Sequence, residues 1–81
     1  MKRTLKGGVN MYYAVIKIVD GMFEINYKYK PNDCDSIYDK MMELTDGDHE
    51  ISANAAGWCE FAEVGEVYEF REGEIEIMDI D

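Results

Sequence analysis

From Tyr12 to Lys30, apolar and polar residues alternate on both sides of the dipeptide Asp20-Gly21. A period of two describes a strand with one covered face, and Asp-Gly accepts the positive backbone angles of a two-residue hairpin loop. A β-hairpin is therefore predicted. Counting outward from Asp20-Gly21 pairs Ile18 with Phe23, Ile16 with Ile25, Ala14 with Tyr27 and Tyr12 with Tyr29 on the face to be buried. The other face sets Tyr13 against Lys28 and Lys17 against Glu24, so that Lys17 meets an opposite charge.

The same count at the C-terminus makes Glu72-Gly73 a loop that places Phe70 opposite Ile75 and Tyr68 opposite Ile77. Met78 and Ile80 then fall out of phase with Ile75 and Ile77, which predicts a bulge or a frayed end. Between the hairpins, residues 35–44 carry Ile37, Tyr38, Met41, Met42 and Leu44 at helical spacing, with Asp33 or Asp35 as cap and Gly47 as stop. His49 to Ser52 reads as a short strand or a connector. Ser52 is then the cap of a second helix over residues 53–63, whose face is Ala55, Trp58, Cys59 and Ala62 and whose terminating left-handed residue is Gly65.

The order ββααββ defines an α+β fold, a two-layer sandwich of about four antiparallel strands in two hairpins with both helices on one face. Its expected core is Ile16, Ile18, Phe23, Ile25, Tyr68, Phe70, Ile75 and Ile77, with Met41, Leu44 and Trp58 packed upon them. Eighty-one residues make one domain near the lower limit for folding alone. Residues 11–81 are read as that domain. Residues 1–10 are read as a disordered or mis-assigned leader, because Lys6-Gly7-Gly8 can be written as a purine-rich ribosome-binding sequence ahead of Met11. The alternative is a basic arm that folds over the acidic C-terminal half.

That acidity is unevenly placed. Of a net charge of -10, residues 1–10 carry +3, residues 11–40 carry -1, and residues 41–81 carry -12, with Arg71 the single cation of the last segment. Phosphate attraction needs a basic face, so direct binding to nucleic acid is disfavoured. No apolar run is long enough to span a bilayer. Without a secretory pattern, Cys34 and Cys59 are expected as free thiols in a reducing cytoplasm.

Chemistry-bearing groups are few. His49, preceded by Asp48, and Cys59 can be drawn as a base and a nucleophile, but an active thiolate needs electropositive surroundings and Cys59 lies in the most acidic half. Cys34, His49 and Cys59 have none of the paired spacings of a zinc site, and the run Thr45 to Glu50 lacks the twelve-residue pattern of a calcium loop. No enzymatic activity, cofactor or metal is expected. The segment ANAAGWCEFAEVGEVYE, residues 53–69, resembles short reading frames of phages and prophages of gut bacteria, over the second helix and the strand that follows. The resemblance implies an origin in a mobile element and carries no site residue with it.

One feature is unfavourable to folding. The counted register sets Glu69 opposite Glu76, a like-charge pair that costs stability, with Glu66 and Glu74 close in sequence. Glu66, Glu69, Glu74 and Glu76 are accordingly the candidate face for a basic host protein, one whose own partner is nucleic acid. The alternative is a homodimer through the outer face of the first hairpin, where Tyr13, Val15, Val19 and Met22 stand among lysines, the acidity then serving only solubility.

Overall fold

A computed structural model describes residues 12–79. The leader expected over residues 1–10 lies outside them. Two strands, β1 (Tyr12–Asp20) and β2 (Phe23–Tyr29), are followed by two helices, α1 (Cys34–Leu44) and α2 (His49–Phe61), and by β3 (Val67–Phe70) and β4 (Gly73–Asp79). The four strands form one antiparallel sheet in the order β2-β1-β4-β3, so the two hairpins lie side by side with β1 and β4 at the centre. This is the α+β arrangement that the alternation and helical spacing predict.

Both hairpin registers differ from the counted ones by two residues. In the first, Asp20 pairs with Phe23, Ile18 with Ile25, Ile16 with Tyr27 and Ala14 with Tyr29, which makes Gly21-Met22 the loop. Gly21 alone takes a positive φ, +67°, and glycine in the first loop position is one of the two arrangements whose twist suits a hairpin. Lys17 accordingly faces Asn26 rather than Glu24. In the second hairpin Phe70 pairs with Gly73, Tyr68 with Ile75 and Glu69 with Glu74, so that Arg71-Glu72 is the loop and Gly73 begins β4. Gly73 is set there by close approach: a Cβ would meet the Lys17 carbonyl oxygen at 2.1 Å. Because each slip is by two residues, every side chain keeps its predicted face. Of the bulge or frayed end expected after Ile77, no bulge occurs up to Asp79, since β4 pairs with β1 without interruption from Gly73 to Asp79, and Ile80 lies outside the described residues.

Both helices cap as short-range chemistry requires. The Asp33 carboxylate accepts from the Ser36 N–H at 3.3 Å, and at the other end of α1 the Gly47 N–H reaches back to the Met42 carbonyl. The second helix starts earlier than predicted, at His49, because the Asp48 carboxylate accepts from the Ile51 N–H and so takes the cap position expected of Ser52. Ser52 is instead buried, its hydroxyl donating to the Asp48 carbonyl. Ser52, Ala55, Ala56 and Cys59 form the buried side of α2, and small side chains there bring the helix close to its neighbours.

The core lies between the helices and the central strands. Ala14, Ile16, Ile75 and Ile77 meet Ile37, Met41, Ala55 and Cys59, all sealed from solvent. Trp58 sits against Tyr68 at a ring separation of 5.5 Å, while Ile18, Leu44 and Phe70 are partly covered. Two expected core residues are not in it: Phe23 is 75% exposed and Ile25 37%. They share the correct face, but the first hairpin extends past the helices, and among the described residues nothing covers its tip.

Candidate functional site

On the sheet face opposite the helices, alternation brings Val15, Lys17 and Val19 of β1 into line with Glu74 and Glu76 of β4 and Val67 and Glu69 of β3. Lys17 is the hub. Its ammonium donates to Glu76 at 2.6 Å, and both side chains are mostly buried. That hydrogen bond is the main reason the Lys17 pKa is raised; burial opposes it, and the charges of Glu76, Glu74 and Glu24 add to the rise. Glu76 is therefore satisfied by Lys17 and does not face Glu69, contrary to the counted register.

The like-charge contact survives with another partner. Glu69 lies directly opposite Glu74 on adjacent strands. The two open onto a cleft of about 420 Å³ that is also lined by Glu24, Arg71 and Glu72. Arg71 is held by Glu72 at 3.0 Å through one carboxylate oxygen, while the other, Oε1, is buried with no hydrogen-bond partner among the described residues. Four carboxylates thus share the cleft with two cations, Lys17 and Arg71, and Lys17 is already bonded to a fifth carboxylate, that of Glu76. Such a lining favours an added cationic donor.

Of the four residues expected to form the acidic face, Glu69 and Glu74 come together in this way. Glu66 serves the loop before β3, where its carboxylate accepts from the Glu63 N–H at 2.8 Å. Glu24 and Glu72 are additional: Glu72 looked like a turn residue, and Glu24 reaches the cleft only because strand order places the first hairpin beside β4. The residues expected to form a dimer face on the first hairpin do not make a continuous apolar surface. Val15 is 5% exposed and Tyr13 is half-buried with the Lys28 ammonium 5.1 Å above its ring, which leaves only Val19 and Met22 open.

The remaining reactive groups are arranged for packing. His49 Nδ1 is hydrogen-bonded to the Tyr38 hydroxyl, edge-on to its ring, at the opposite end of α2 from Cys59. Burial, with a smaller contribution from Cys34, pushes the Cys59 thiol up to about 12. Burial and then Glu60 raise that of Cys34 as well. Both thiols are protonated at neutral pH. In the run from Thr45 to Glu50, the Asp48 carboxylate caps α2 and the Thr45 hydroxyl donates to the Met41 carbonyl, so these oxygens serve the interhelical turn. Among the described residues no group of three His, Cys, Asp or Glu is placed to hold a metal ion, and no helix is long and apolar enough to cross a membrane.

No family model matches this chain, and neither a curated protein nor a solved structure does.

Proposed function

We propose that this chain is a non-enzymatic, acidic protein-binding module that receives a lysine or arginine of a basic partner in the cleft between Glu24, Glu69, Glu72 and Glu74. The observation that carries this reading is the Glu69–Glu74 pair, two carboxylates directly opposite each other on neighbouring strands, in a cleft that also gathers Glu24 and Glu72. An incoming ammonium or guanidinium relieves their repulsion and offers a donor to Glu72 Oε1, which has no partner among the described residues. The partner class that fits is a cytoplasmic protein whose basic surface otherwise holds nucleic acid. A phage or prophage origin, suggested by the resemblance over residues 53–69, agrees with an inhibitor of such a host protein.

Binding of a peptide rich in lysine and arginine, followed by calorimetry at low and high salt, tests the reading. Glu69→Gln with Glu74→Gln should stabilise the isolated domain by about 0.5 kcal/mol through lost repulsion. The same change should weaken the peptide about tenfold at low salt and less at high salt. Asp39→Asn with Glu50→Gln removes two exposed acids from the helices and should leave the affinity nearly unchanged. Equal losses from the two double variants, or no binding at low salt, contradict the cleft as the site.

A further inference from the structure

The exposed apolar residues of the first hairpin border an open sheet edge. Among the described residues, β2 has β1 on one side and no strand on the other. It is seven residues long, against four for β3 at the opposite edge. In a two-residue loop the closing pair, here Asp20 and Phe23, exchanges both of its backbone hydrogen bonds, so Phe23, Ile25, Tyr27 and Tyr29 bond inward to β1. The N–H and C=O groups of Glu24, Asn26 and Lys28 consequently point away from the sheet.

We propose that this edge is a homodimer interface, in which β2 pairs antiparallel with β2 of a second copy about Asn26 and joins two four-stranded sheets into one. The sequence of β2, Phe-Glu-Ile-Asn-Tyr-Lys-Tyr, is complementary to its own reverse. Centred on Asn26, the pairing sets Glu24 opposite Lys28 of the second copy, Ile25 opposite its Tyr27 and Phe23 opposite its Tyr29. Opposite charges meet, and aromatic or aliphatic side chains meet. The exposed Phe23 and Ile25, which α1 and α2 leave uncovered, thereby gain the two tyrosines as neighbours. Charge selects the same edge. Two copies that each carry -10 repel, and the acids concentrate on β3 and β4, whereas β2 holds one glutamate and one lysine. The interface shares Glu24 with the acidic cleft and leaves Glu69, Glu72 and Glu74 outside it, and association measured without peptide reads it apart from the binding function proposed above.

Sedimentation equilibrium from micromolar to about 1 mM chain reads the association directly. The native chain should form dimers and no larger species, because the described residues offer one such self-complementary edge per copy. Glu24→Lys sets like charges at both ends of the pairing and should raise the dissociation constant about tenfold or more. Adding Lys28→Glu to it restores opposite charges and should restore the native dimer, a rescue that general loss of structure does not give. Asn26→Pro removes the central outward N–H while a free edge still tolerates proline, and it should abolish association with the circular dichroism unchanged. A native chain that stays monomeric throughout overturns the proposal. So does a dimer indifferent to Glu24→Lys, or one that the double charge exchange fails to rescue. Should Asn26→Pro not fold, the two charge variants decide.

Discussion

Ile16 and Ile75 lie opposite each other at the centre of the sheet, fully sealed, while on the same side of the same sheet Phe23 is largely open and Ile25 partly so. All four belong to strands with the same alternating pattern. What separates them is the helical layer: the Lys40 ammonium of α1 lies 4.3 Å above the Tyr27 ring and Trp58 of α2 covers Tyr68, but neither helix reaches the first hairpin's tip. Alternation records which side chains share a face, and only the second layer determines which of them leave water. The covered region contributes stability. The uncovered region holds the β2 edge proposed above to pair with a second copy.

Truncation tests this division with the largest expected effect. Ile75→Ala should cost about 2–5 kcal/mol in urea denaturation, from lost burial and the cavity left behind. Phe23→Ala, measured below the concentration at which chains associate, should change stability by no more than about 0.5 kcal/mol. Similar losses at the two positions would mean that the tip is covered after all.

A pH titration sharpens the same contrast from within the covered half. The Cys59 thiol keeps its proton to about 12 in the folded chain against an ordinary 9.0, so unfolding releases that proton increasingly as pH rises between these values. Its contribution to stability is complete below pH 9 and is lost towards pH 12, by at most about 4 kcal/mol. Lys17, whose pKa is also raised, loses its contribution in the same direction, above its ordinary 10.5. Cys59→Ala should therefore flatten the alkaline decline measured by chemical denaturation, and an unchanged slope would indicate that water reaches α2.

Element order and side-chain faces were legible in the sequence because period-two and helical spacings are local properties. Ile16, Ile75 and Ile77 were identified as core from alternation alone, and Met41 from the helical repeat. Loop position was less legible. Asp20-Gly21 and Glu72-Gly73 both looked like loops, yet Gly21 opens its loop, and Gly73 follows the other because the Lys17 backbone passes too close for any Cβ. The acidic cleft was half legible. Glu69 and Glu74 are near in sequence, but Glu24 joins them, and Lys17 captures Glu76, only through the β1–β4 pairing, which no local pattern encodes. Asp48, rather than Ser52, caps α2, since either side chain has the required chemistry and the turn after Thr45 brings Asp48 into place.

Residue-resolved hydrogen exchange at two protein concentrations tests the division between the covered centre and the open edge most directly. Amides of β1 and β4 in the central ladder should be slow at both concentrations, while those of Glu24, Asn26 and Lys28 should exchange freely in dilute solution and slow markedly as concentration rises. Edge amides that stay fast at high concentration, or that are already slow in dilute solution, would contradict the account.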